Sequence, residues 1–425
     1  MRILNKIFGG CNLCNTYSYN DFCPSLAGIV AAICLSVSRC RHFFSASCFL
    51  AKLICSICFI QYAVIIRNIL GFVGISGMLI LGWTITGFCN MVTIYNPNGS
   101  IATYTTTIQA GVDVCPVGGT VSVAAGTYTE AVYINKGIAL IGAGSDSTTI
   151  TAPEFDRANT VTFVGTTTNN ASISGFRITG ATDQGIGCRQ SSPTITNNII
   201  SWNRGNGICC NSSSPSITNN IIMTNSNGIY CDSSSPSITN NIIVGNSGDG
   251  ITCAVFVYLP IINNTILRNT FMGINCDSSS FPSITNNTIS GNSGNGISCG
   301  SFVSPTIINN IITGNGISNY CGISVYPNYS PIIDYNCVWW NGLSTTHNYS
   351  NCSAGSNDIS ADPQFIGGGD FHLGSFSHCI DKGSNIAPAI PSTDKDGNPR
   401  IIRIVDMGAY EYKGIPNDNL HISAK

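Results

Sequence analysis

From Gly185 to about Asn310 the sequence repeats itself with a period of about 22 residues, the strongest constraint on what this chain can fold into. Its unit reads Ser-Ser-Pro-Ser-Ile-Thr-Asn-Asn-Ile-Ile, then a variable polar turn containing Asn, then Gly-Ile-x-Cys. Prolines mark the beat at Pro193, Pro215, Pro236, Pro260, Pro282, Pro305 and Pro331. Asn pairs begin at Asn197, Asn219, Asn240, Asn263, Asn286 and Asn309, and Gly-Ile pairs at Gly185, Gly207, Gly228, Gly250, Gly273 and Gly296. Each unit holds three runs of about 3 to 5 residues between Asn, Gly or Ser turns, too short for helices and too regular for a linker. Each run is therefore a strand. No unit can bury its Ile side chains alone, so successive units must stack, each strand pairing in parallel with its counterpart about 4.8 Å away.

Alternation along a strand then fixes which side chains face inward. Ile and Cys of Gly-Ile-x-Cys share the inner face, and Gly187, Cys209, Tyr230, Thr252, Asn275 and Ser298 lie between them on the outer one. Turn asparagines can pass amide hydrogen bonds from rung to rung, satisfying polar groups that cost about 1 to 3 kcal/mol each when buried alone. Cys188, Cys210, Cys231, Cys253, Cys276 and Cys299 form a column of thiols that pack as small hydrophobes. In-register stacking sets their Cβ atoms about 4.8 Å apart, beyond the roughly 3.8 Å of a relaxed disulfide, so free thiols are expected.

Composition agrees with a turn-rich β body. Only 9% of the 425 residues are charged, against about 25% in ordinary domains, and 45 are glycine. A net charge of -2 with no Lys/Arg run offers no footprint for DNA or RNA.

Residues 1–92 differ from the rest, with 9 of the 21 cysteines and apolar stretches at 26–37, 48–66 and 69–89. The last runs about 20 residues without a charge behind Arg67, long enough to cross a bilayer, and reads as a signal or anchor helix that exports the remainder of the chain. Residues 1–66 read as an upstream extension of a misplaced start. Phe88 before Cys89 does not suit lipid attachment, and Cys11/Cys14 and Cys55/Cys58 lack a second pair at zinc-ribbon distance.

Ahead of the repeats, Thr107-Ile108-Gln109-Ala110, the stretch Gly118 to Glu130 and Ile138 to Gly142 resemble the opening of pectin-lyase-like right-handed β-helix proteins. That resemblance implies a short capping helix near Ile108 to Val114, and a superfamily that includes polysaccharide lyases, polygalacturonases and pectin methylesterases. Behind the repeats come Asp362-Pro363-Gln364-Phe365, Phe371-His372-Leu373, Cys379-Ile380-Asp381-Lys382-Gly383, Asp394-Lys395-Asp396-Gly397-Asn398-Pro399-Arg400 and Asp406-Met407-Gly408-Ala409-Tyr410-Glu411-Tyr412. They resemble the C-terminal segment of choice-of-anchor Q bacterial surface proteins, which implies export and attachment at the cell surface. The expected architecture is all-β: a single-stranded right-handed parallel β-helix of about ten rungs with three short strands each, preceded by apolar helical segments. Its parts are the apolar region 1–92, the capped β-helix 93–345, a C-terminal cap 346–415 and a disordered tail 416–425.

Residues for catalysis are scarce. Glycoside hydrolysis needs paired carboxylates about 5 to 10 Å apart, and lyase chemistry needs an acidic calcium cluster with a base. Asp232 and Asp277 follow the inward Cys at equal phase, which sets them on one face two rungs apart with Ala254 between, but each opens a Ser-Ser-Ser turn. No Asn-Thr-Asp, Asp-Asp, Gly-His-Gly or Arg-Ile-Lys signature of polygalacturonases occurs. Asp394 and Asp396 are weak calcium candidates, because the glycine of their turn falls at the fourth rather than the sixth position, and Asp side chains closing a tight turn suit the pattern better. Tyr326, Tyr329, Tyr335, Trp339 and Trp340 cluster past the last clear repeat and suit stacking on sugar rings, or plugging the end of the core. A row of hydroxyls from Thr194/Thr196 to Ser283/Thr285, of the kind that binds ice in some solenoids, breaks at Pro260. The sequence thus favours an exported cell-surface scaffold that contacts polysaccharide or another envelope component, without catalysis and without a cofactor. A polysaccharide lyase or glycoside hydrolase, and a structural spacer or adhesin, are the alternatives.

Overall fold

A computed structural model describes residues 91–414 apart from 155–157, 167–169, 318–319, 343 and 345–346. The apolar stretches, the two Cys-x-x-Cys pairs and the tail 416–425 lie outside the described residues. Among the described residues no helix is long and apolar enough to cross a membrane.

The chain winds through ten rungs of three strands, and stacked rungs form three parallel sheets. Sheet 1 carries the strands from Thr120–Val123 to Ile332–Asp334, sheet 2 those from Gly126–Thr129 to Cys337–Trp339, and sheet 3 those from Val132–Ile134 to Tyr349–Ser350. Pairing follows the repeat: Ile195 sits on Ile217, Ile200 on Ile222, and Cys188 on Cys210. Equal repeat positions therefore stack into columns. Inside, Ile217, Ile222, Ile229 and their counterparts are fully buried and form one continuous core. The thiol column is buried throughout, and every cysteine of the described residues is free, as the spacing predicts.

Glycine of each Gly-Ile pair follows from crowding. A Cβ on Gly250 would lie 2.6 Å from the Gly273 carbonyl oxygen and 2.6 Å from Ile266 Cγ2, so only glycine lets adjacent rungs approach. The asparagines divide their work. The first Asn of each pair adopts left-handed φ, from 54° to 60°, which turns the chain from sheet 1 to sheet 2. The second is buried and joins a ladder from Asn198 through Asn220, Asn241, Asn264, Asn287 and Asn310 to Asn336, ending on Asp358. A second ladder runs from Asn203 to Asn341 at the next corner and ends on Asn348.

At the N-terminal end a helix, Ile108–Val114, packs beside the first rung where the resemblance places a cap. Thr107 Oγ1 accepts from Ala110 N, while the Glu130 carboxylate accepts from Ile108 N and Gln109 N at 2.9 and 2.8 Å. Sheet 1 is closed there by an antiparallel hairpin, Val92–Tyr95 with Ile101–Thr105, which the repeat pattern does not reveal. It shields the edge that an unpaired first rung would expose.

Beyond the last rung the chain forms a hairpin, Phe365–Gly367 with Asp370–Leu373, and runs back along the corner between sheets 1 and 2. It is held by the first Asn of successive pairs: Asn309 Nδ2 donates to Ser384 O, Asn286 Nδ2 to Asp406 O and Asn263 Nδ2 to Thr393 O. Lys395 Nζ donates to Asn240 O at 2.6 Å. Thr285 of the hydroxyl row is covered by this segment, its Oγ1 donating to Pro388 O.

Candidate functional site

The corner between sheets 3 and 1 changes character along the solenoid. In the rungs of Cys188, Cys210 and Asp232 it is Gln-Ser-Ser-Pro or Ser-Ser-Ser-Pro; in the next four rungs it gains aromatics. Phe256 and Phe302 project from the corner 61% and 64% exposed, and Tyr258 is 57% exposed. Tyr258 and Phe281, on adjacent rungs, stack with centroids 5.3 Å apart and planes 17° apart. Phe302 meets Tyr329 edge to face at 5.4 Å, and Tyr326 lies 6.1 Å from Tyr329. The result is an aromatic strip parallel to the solenoid axis.

Of the five aromatics singled out in the sequence, only Tyr326 and Tyr329 belong to it. Tyr335 starts at the opposite end of the strand Ile332–Asp334, at the sheet 1–2 corner. Trp339 packs with Tyr335 against Cys337, Leu373, Cys379 and Met407 under the C-terminal segment, so it seals that segment rather than plugging the end of the core. Trp340 turns outward at the sheet 2–3 corner with φ 51°, half exposed. Nearness in sequence did not mean one face, because the three-strand rung sends residues only a few apart to different corners. Phe256, Tyr258, Phe281 and Phe302 were missed although the signal was present: each is an aromatic at a corner position that earlier repeats fill with serine or glutamine.

Asp232 and Asp277 stand two rungs apart on one face, as the phase requires, about 10 Å apart at the backbone. Each is tied to its own turn: Ser233 Oγ donates to Asp232 Oδ1 at 3.1 Å and Ser278 N to Asp277 Oδ1 at 2.8 Å. Ala254 fills the rung between them. Arg189 shares the column but lies two rungs before Asp232, outside the pair. A cation placed between carboxylates, which lyase chemistry would use, is not what this column presents.

Asp394 is fully buried, and its oxygens accept from Asp396 N, Asn398 N, Asn398 Nδ2 and Glu411 N at 2.8 to 3.1 Å. That set of bonds closes the turn around the buried carboxylate. Asp396 instead accepts from His372 Nε2 at 2.8 Å, while His372 Nδ1 pairs with Asp370. Burial opposes charge on His372, but the bonds to Asp396 and Asp370 outweigh it and raise its pKa. With both ring nitrogens engaged and Tyr410 at 4.0 Å, this imidazole clamps the hairpin to the 394–400 turn. Among the described residues no group of three His, Cys, Asp or Glu could hold a metal ion.

Deeper in the same segment, the fully buried Arg400 donates to Asn263 Oδ1 and to Ala409 O, and its Nη1 lies 3.6 Å from Glu411 Oε1. Burial raises Glu411 to about 8 and Asp406 to about 6. A cleft of about 210 Å³ opens beside them, lined by Asp381, Arg403 and Tyr412 among others. Their polar atoms are largely spent internally: Asp406 accepts from Asp381 N and Tyr412 N, and Glu411 from Asp406 N.

Comparison with known proteins bears on the fold. A family model described as right handed beta helix region matches residues 136–281, and so ends before the C-terminal segment. Among solved structures, pectate lyase Pel9A is similar at 17% identity and a TM-score of 0.51, with 75% of this chain and 95% of that chain covered. The mannuronan C-5 epimerase AlgE4 A-module of Azotobacter vinelandii is similar at 17% identity and a TM-score of 0.38, over 60% of this chain and 95% of that one. No curated protein matches the sequence. Ten three-stranded rungs, repeat-on-repeat register and the family-model match over residues 136–281 agree on one fold for the described solenoid, a right-handed parallel β-helix.

Proposed function

We propose that this chain is an exported, envelope-associated β-helix scaffold that contacts carbohydrate through the aromatic strip at the sheet 3–1 corner and breaks no bond itself. The observation that carries this reading is the strip: exposed aromatic side chains on consecutive rungs offer apolar surface of the kind sugar rings pack against, at low entropic cost. The uncharged run at 69–89 behind Arg67, and the C-terminal resemblance to surface-held proteins, support export and attachment. Asp232 and Asp277, the carboxylates that catalysis would need, are engaged by their own turns and form no ion pair among the described residues.

The test is to incubate the purified protein with an array of neutral and acidic polysaccharides, with and without calcium, following both retention and the release of reducing or unsaturated ends. Retention without release is expected. Release that Asp232→Ala or Asp277→Ala abolishes would make the protein a polysaccharide-cleaving enzyme, the reading that their shared face favours. Silence in both channels would leave a spacer or adhesin.

A further inference from the structure

One turn position at the sheet 3–1 corner recurs on successive rungs as Ser233, Phe256, Ser279, Phe302 and Asn328, each five residues before the central strand residue that pairs with its neighbours. All five have left-handed φ, between 47° and 71°. Serine and asparagine suit such a turn; a bulky ring there is strained. Phe256 and Phe302 are also 61% and 64% exposed, so folding gains little from them. Strain at two exposed aromatics aligned on one corner points to residues placed for a partner.

Their spacing and surroundings identify the partner. The two rings spring from rungs two apart, about 10 Å along the axis, with the Ser279 hydroxyl between. An extended two-fold glycan chain with β-1,4 linkages presents the same sugar face at every second residue over nearly that distance. Phe256 and Phe302 would thus meet alternate sugars in the same way. Tyr258 and Phe281 stack on each other, so the faces they share are closed to a sugar. In the corner segments 254–259, 277–282, 300–305 and 326–331 the one charged residue is Asp277. A uronate polymer would bring carboxylates beside Asp277 with no cation to offset them.

Building on the carbohydrate-contact reading above, we infer that this corner binds a neutral, extended β-1,4-linked glycan, with Phe256 and Phe302 as paired platforms. The test is calorimetric titration of the full chain with neutral cello-, xylo- and manno-hexaoses, the corresponding trioses, and hexamers of galacturonate and mannuronate. At least one neutral hexaose should bind, its triose at least tenfold more weakly because it spans one platform. Phe256→Asn and Phe302→Asn should each weaken hexaose binding at least tenfold while leaving the melting temperature unchanged or higher, since Asn328 already occupies this position. Preferred binding of uronate hexamers, lost in Phe302→Asn, would overturn the neutral assignment and leave carbohydrate contact standing. Glycan binding indifferent to both substitutions would overturn this corner as the site. Absence of any glycan binding would overturn both readings, as would self-association abolished by Phe302→Asn without glycan binding.

Discussion

Replacing Asn264 by alanine probes the device that lets this solenoid bury so many polar groups. Asn264 Nδ2 donates to Ile238 O, Ile262 O and Asn287 Oδ1, and its Oδ1 accepts from Asn241 N and Asn241 Nδ2. In Asn264→Ala the buried Asn241 N–H loses its acceptor, a penalty of about 1 to 3 kcal/mol. Two carbonyls lose a donor each, and the missing amide leaves a small void, which together bring the cost to about 3 to 5 kcal/mol. The control is Asn197→Ala. Asn197 takes the left-handed turn at an exposed site, so its loss should cost about 1 kcal/mol through backbone preference alone. Urea denaturation followed by circular dichroism gives both values from midpoint and slope. If Asn264→Ala costs no more than Asn197→Ala, the ladder is not what satisfies the interior and the reasoning fails.

Three other substitutions test the column, the C-terminal segment and its buried charges. Cys276→Val should change stability by less than about 1.5 kcal/mol, because Val325 and Cys299 already occupy one column; in the native protein the thiol column should resist an aromatic disulfide reagent until urea unfolds it. Arg400→Ala removes the cation among Asp394, Asp406 and Glu411 and should cost about 3 to 5 kcal/mol, read as early proteolytic loss of the C-terminal segment while the rungs stay intact. Burial raises Glu411 from 4.5 to about 8, so between those values the folded chain keeps a proton that the unfolded chain releases. This contribution to stability is complete below about pH 4.5 and is lost as pH rises to about 8, so melting temperature should fall over that window and Glu411→Gln should flatten the slope.

The repeat made the solenoid body legible because each rung is local: about 22 residues carry their own strands, turns and inward columns, and stacking only multiplies them. Parity alone placed Ile and Cys inside, and the spacing of stacked Cβ atoms separated thiols from disulfides. The site was less legible. Tyr335, Trp339 and Trp340 looked like one cluster with Tyr326 and Tyr329, yet the corners of the last rung divide them among three faces. Phe256 and Phe302 carried a readable signal, an aromatic where the repeat has serine, that becomes meaningful only once left-handed turns align them along the axis. The C-terminal segment could not be placed from sequence at all, since its contacts span more than a hundred residues, as between Arg400 and Asn263 or Lys395 and Asn240. Asp394, by contrast, closes its own turn onto Asn398, a contact between near neighbours in the chain that a sequence pattern can suggest.

The most direct measurement is a crystal structure of the protein grown with a neutral hexaose. We expect an intact oligosaccharide lying along the sheet 3–1 corner, with alternate sugars over Phe256 and Phe302. An oligosaccharide bound instead on the outer face of sheet 3 beside Asp232 and Asp277, above all one that is cleaved, would contradict the assignment.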